Sequence, residues 1–151
     1  MELKYMKLQK GFSLVELIIA LAILAILASI AYSSYSNQVQ KSRRTDVTEA
    51  LLSAAALQER FFLSNTPNRY AAQADINEIG GTTTENGFYT ISVVNNEASG
   101  TACPEGSCFT VTGTVVAGGA QANDVNCQRF TIDNLGRKRA YNTDDAQSES
   151  C

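Results

Sequence analysis

Lys10-Gly11-Phe12-Ser13-Leu14-Val15-Glu16-Leu17 sets a single carboxylate just inside an otherwise apolar run. From Phe12 to Ala31 there are 20 residues, and Glu16 is the only charged one among them. A helix of that length rises about 30 Å, enough to cross the hydrocarbon core of a bilayer. An ionisable group there costs at least ~2.5 kcal/mol near the bilayer centre and less toward its edge, so its presence points to a purpose. Ahead of the run, Met1 to Gly11 carries Lys4, Lys7 and Lys10 against Glu2, a net charge of +2. The formal charge of the whole chain is -3, so the remainder carries -5. A basic segment before an apolar run argues for a cytoplasmic N-terminus and an exported C-terminal part.

A secretory signal peptide is the ordinary alternative for such a beginning. The run is too long for a typical signal core, and the nearest small-residue cleavage candidate, Ala28-Ser29-Ile30-Ala31, lies at its far end. Four cysteines, all beyond the run, suit an oxidising compartment outside the cytoplasm. They admit three pairings. Cys103 and Cys108 bracket Pro104-Glu105-Gly106-Ser107, a turn-forming stretch able to close a small loop, which leaves Cys127 for the terminal Cys151. The second closure would tether a polar tail that otherwise frays. A zinc site is disfavoured: the chain has no His and no Cys-x-x-Cys.

With 151 residues, a chain that gives about 30 to a span and stem has room for one small head. The expected divisions are a leader over 1–11, an apolar helical half over 12–38, and a head over 39–151. Within the head, Val39, Val47, Leu51, Ala54, Ala55, Leu57, Gln58 and Phe61 mark an approximately helical stripe, with Asp46, Glu49, Glu59 and Arg60 largely off it. Pro67 and its neighbouring Asn residues end the helix. A loop follows, with a short helix around Ala72 to Ile79.

From Phe88 the period becomes two. Residues 88–93 alternate, with Tyr89, Ile91 and Val93 on one side; 109–115 and 129–133 read as further strands, and 138–141 as a short fourth. Strands joined by turns make an antiparallel sheet whose apolar face needs a cover, and the amphipathic helix supplies it. The expected fold is α+β: a long helical handle packed on a three- to four-stranded antiparallel sheet.

These features resemble the type IV pilins. Gly11-Phe12-Ser13-Leu14-Val15-Glu16-Leu17 matches their processing motif, and the head is most similar to minor pilins of the PilE kind. The head segments that carry the likeness are 44–52, 56–62, 109–114, 121–124 and 127–136. The resemblance implies cleavage after Gly11 by a prepilin peptidase, which also methylates the new terminal residue, Phe12. It implies that Glu16 pairs with a neighbouring subunit's Phe12 amine, since a buried carboxylate needs a partner charge. Implied partners are major and minor pilins through the N-terminal helix, the peptidase, and the inner-membrane assembly machinery. The implied path runs from inner membrane, with a periplasmic C-terminus, to pilus and cell surface. The family usually carries a proline where this chain has Ser33, and serine keeps the backbone donor that proline lacks.

Function is then expected to be structural: a minor pilin supporting pilus assembly. A DNA-binding competence pilin is the leading alternative, with Arg129, Arg137, Lys138 and Arg139 as phosphate contacts and Tyr141 as a stacking surface. A major pilin and a type II secretion pseudopilin follow. The basic turn Lys41, Arg43 and Arg44 reads as solvated, and Phe61-Phe62 as one core ring beside a more exposed one. Nothing suggests an enzyme, a cofactor or a metal. Ser13 lacks a base, Asp144 and Asp145 are adjacent and diverge, and no phosphate loop precedes a helix. Asp124, Asp133, Asp144 and Asp145 match no calcium loop and read as surface polar residues.

Overall fold

The computed structural model describes residues 13–151, and it divides into two compact units, one ending at Gln38 and the other spanning Val39–Cys151. One helix, α1, runs Leu14–Ser64 and contributes to both. The leader, the Gly11–Phe12 step and the Phe12 amine lie outside the described residues.

In the first unit every described side chain of the helix is exposed. Leu14, Ile18, Leu24 and Ile30 are all exposed, and the stretch is long and apolar enough to cross a membrane. Glu16 lies in the first turn, exposed like its neighbours. The helical backbone continues through position 33.

In the second unit the same helix becomes amphipathic. Val47, Leu51, Ala54 and Gln58 are buried at helical spacing. They cover an antiparallel sheet of β1 (Tyr89–Val94), β4 (Thr110–Val115), β5 (Arg129–Asp133) and β6 (Lys138–Tyr141), in that spatial order. Two-residue strands, β2 (Glu97–Ala98) and β3 (Thr101–Ala102), form a separate small hairpin that the sequence reading did not anticipate. The short helix expected before the sheet is a 3₁₀ segment, Gln73–Ile79.

Strand register sorts the side chains onto two faces. Ile91, Gly113 and Phe130 share a row on the helix side, where Tyr89, Val93, Val111 and Ile132 complete the core. Gly113 has no side chain for a specific reason: a Cβ there would collide with Val47 Cγ2. Helix and sheet therefore approach closely at that point.

Two polar devices fasten the helix to distant chain. Gln58 is fully buried and donates to the Ala71 carbonyl at 3.1 Å, while the Ala71 amide donates back to its Oε1 at 2.7 Å. Arg44 meets Asp124 through two parallel bonds of 2.7 and 2.8 Å, and Asp124 also accepts from Gln121 Nε2. This corrects two expectations. Arg44 is not a solvated turn residue but half of a buried pair, and Asp124 is not at the surface but 2 % exposed. Arg43 is also engaged, donating to the Ala120 carbonyl at 2.7 Å and lying over the Phe88 ring. Phe61 and Phe62 are both partly buried; Phe61 packs on the core, and Phe62 lies 4.7 Å from the Tyr70 ring.

Cys103 is bonded to Cys108 and Cys127 to Cys151, with Cα separations of 6.4 and 5.9 Å.

Candidate nucleic-acid interface

The face of the sheet turned away from the helix is polar. Thr90, Ser92, Thr112 and Thr114 occupy its β1–β4 half by alternation from the buried residues, and Arg129, Thr131 and Asp133 continue the face on β5. On β6, Arg139 stands opposite Thr131 and Tyr141 opposite Arg129.

Arg129 lies flat on Tyr141, its guanidinium carbon 3.9 Å from the ring centroid. Its Nε donates to Asp145 Oδ1 at 3.0 Å, and its Nη2 contacts the same oxygen. Arg139 Nη1 donates to the Ser99 carbonyl at 3.0 Å, and no carboxylate pairs with it among the described residues. Thr131 sits beside Arg139 with its Oγ1 lacking a partner among the described residues. An arginine over an aromatic plane, a second arginine free of any carboxylate, and a row of hydroxyls offer phosphate contacts and a stacking surface together.

Asp133 holds the end of this face in place. It is 1 % exposed, again against the expectation of a surface loop residue. Burial alone would raise its carboxyl, but hydrogen bonds from Ser99 Oγ, the Arg137 amide and guanidinium, and the Leu135 amide outweigh this and hold it below the usual range. The same bonds tie Arg137 down: its Nε donates to Asp133 Oδ2 at 2.6 Å. Through Ser99, the β2–β3 hairpin is drawn onto the outer face, where Thr110 Oγ1 accepts from the Ser99 amide and donates to the Glu97 carbonyl.

The four sequence-selected cations are thus not one cluster. Arg129 and Arg139 share the outer face, and Arg137 is engaged by Asp133 at the turn. Lys138 lies on the opposite side of β6, as strand alternation requires. Asp145 was not singled out as a partner for Arg129, yet both are among the features that set the charge here.

Residues 33–131 match a family described as the type IV minor pilin ComP, a DNA uptake sequence receptor. The chain belongs to this family. Residues 6–32 match the prokaryotic N-terminal methylation motif, which covers the segment around Gly11, Phe12 and Glu16. No curated protein matches the chain. As a type IV minor pilin it is a structural subunit, with membrane anchoring through its apolar helix and then the pilus as its setting. The family match takes in the second half of α1, β1 to β4 and Arg129 on β5; it ends before β6, so Arg137, Lys138, Arg139 and Tyr141 fall beyond it.

Proposed function

We propose that this minor pilin contacts DNA during uptake through the outer face of β5 and β6. The observation that carries the reading is Arg129 stacked on Tyr141 beside Arg139, on the one sheet face not covered by α1. Phosphates would engage Arg139 directly and would compete with Asp145 for Arg129. Lys138, on the other side of the strand, contributes to the local field and makes no contact in this arrangement. The net negative charge of the chain limits non-specific attraction, so binding depends on these few contacts.

The N-terminal chemistry completes the reading. The prepilin peptidase cuts after Gly11 and methylates Phe12, and Glu16 pairs with a neighbour's Phe12 amine on assembly. Before assembly the head faces the periplasm. Its role is to bind and assemble, with no catalytic step.

The test is duplex DNA binding by the full chain in lipid nanodiscs, measured across a salt series. Each lost phosphate contact lowers the log–log salt slope by about 0.9. Arg139→Ala is expected to lower it by one such step, and Arg129→Ala likewise. Unchanged affinity and slope in both variants would overturn the assignment of this face.

A further inference from the structure

The C-terminal tail begins as a fifth strand and then leaves the sheet. Gln147 pairs with Tyr141, and the Ser148 amide donates to the Ala140 carbonyl at 2.8 Å. Continued pairing would carry the tail along β6 past Arg139 and Lys138. Instead Arg44 Nη1 donates to the Ser150 carbonyl at 3.3 Å, and Cys151 is bonded to Cys127. The tail is drawn toward α1, and β6 remains the edge of its sheet at Lys138.

Two things are left uncovered by that departure. One is backbone: because Ala140 turns its carbonyl outward to Ser148, Lys138 two residues back turns its amide and carbonyl the same way, and no strand among the described residues meets them. The other is apolar. A groove of about 280 Å³ lies between α1 and the β5–β6 edge, lined by Leu51, Leu52, Phe130, Ile132 and Ala140, with Ser148 and Cys151 closing one end. Leu52 is 44 % exposed there. The rim is cationic: Lys138 lines the groove and, like Arg139 across the strand, pairs with no carboxylate among the described residues.

We propose that this edge and groove form a docking site for an extended segment of a partner protein in which apolar and acidic residues alternate. An unpaired edge is satisfied by an added strand. Alternation would set the apolar side chains down onto Leu52 and Ile132, on the Lys138 side of β6, and the carboxylates on the other side beside Arg139. A folded apolar surface would cover the groove without meeting the backbone groups, and a nucleic acid would meet the cations without filling the groove. The extended acidic–apolar strand is the occupant that answers all three features.

The probe is a capped hexapeptide alternating Leu and Glu, added to the full chain in nanodiscs, with amide hydrogen exchange read over residues 138–141. At saturation, exchange at the Lys138 amide is expected to slow about tenfold. The effect should vanish with the same peptide N-methylated along its backbone, which keeps the charge and loses the donors. It should vanish too in Leu52→Glu, which fills the groove from an exposed position; Lys138→Pro removes the outward donor together with the charge, and peptide binding to that variant, followed by fluorescence anisotropy, should be lost. Thermal unfolding of both variants checks that the head stays folded. Equal protection by the N-methylated peptide or by duplex DNA would reduce the site to charge attraction and overturn the proposal. Protection that rises with protein concentration and needs no peptide would assign the edge to a second copy and overturn it as well.

Discussion

Leu24 and Leu51 lie on the same helix, yet Leu24 is 61 % exposed and Leu51 is 4 % exposed. In the first unit apolar residues surround the helix on every side, so no face is distinguished. In the second, one stripe is apolar and the rest is polar, and only the stripe is buried. The difference is one of solvent. The first half is long and apolar enough to be dissolved in hydrocarbon; the second is dissolved in its own head. Fixing points follow the same division. Gln58 and Arg44 tie the second half to Ala71 and Asp124, whereas among the described residues of the first half the side-chain hydrogen bond is that of Ser29 to its own helix.

The sharpest way to break this contrast is a matched pair of substitutions. Leu51→Asp puts a charge in the core and should abolish the cooperative unfolding transition of the head. Leu24→Asp should leave that transition in place and instead impair membrane insertion, at a cost of roughly 2.5 kcal/mol or more. Near-UV circular dichroism and membrane fractionation read the two outcomes separately.

Arg44→Ala leaves Asp124 buried without its partner charge and should destabilise the head by about 3–5 kcal/mol. Replacing both, as Arg44→Met with Asp124→Leu, should recover most of that loss in denaturant titration. Gly113→Val drives a side chain into Val47 and should cost about 3 kcal/mol, with Val47→Ala in the same chain partly restoring stability. Gln58→Leu strands the amide and carbonyl of Ala71 and should cost about 1–3 kcal/mol.

The smallest effect is one of pH. Asp133 titrates below its usual range in the folded head, so the unfolded chain binds the proton more readily. Its contribution is therefore fully present above the unfolded value of about 3.9 and is lost as pH falls through the lower folded value. Asp133→Asn should flatten the stability profile below about pH 4. An unchanged acid limb in that variant would show that other carboxylates govern it.

Periodicity made much of the fold legible. The 20-residue run with Glu16 announced the span, the stripe through Val47, Leu51, Ala54 and Gln58 announced the packed face, and the change to period two announced β1, β4 and β5. What stayed hidden was long-range pairing. Arg44 and Asp124 are 80 positions apart, and nothing local to either marks the other. The β2–β3 hairpin has two residues per strand, too few to alternate. The candidate interface was half legible. Arg137, Lys138 and Arg139 look like a cluster in one dimension, but strand alternation already separates Lys138 from Arg139, and only the buried Asp133 reveals why Arg137 is held. Asp145, which faces Arg129, is brought there by the turn that returns the tail to β6, a geometry without a sequence signature.

The most direct test of the account is quantitative peptide mass spectrometry on filaments sheared from the cell surface, including the peptide that begins at Phe12. The account predicts an N-methylated Phe12 peptide at a small fraction of the dominant subunit, since the chain matches a minor-pilin family and the N-terminal methylation motif. Finding that peptide as the filament's most abundant species, or finding the chain unprocessed and confined to the inner membrane, would contradict it.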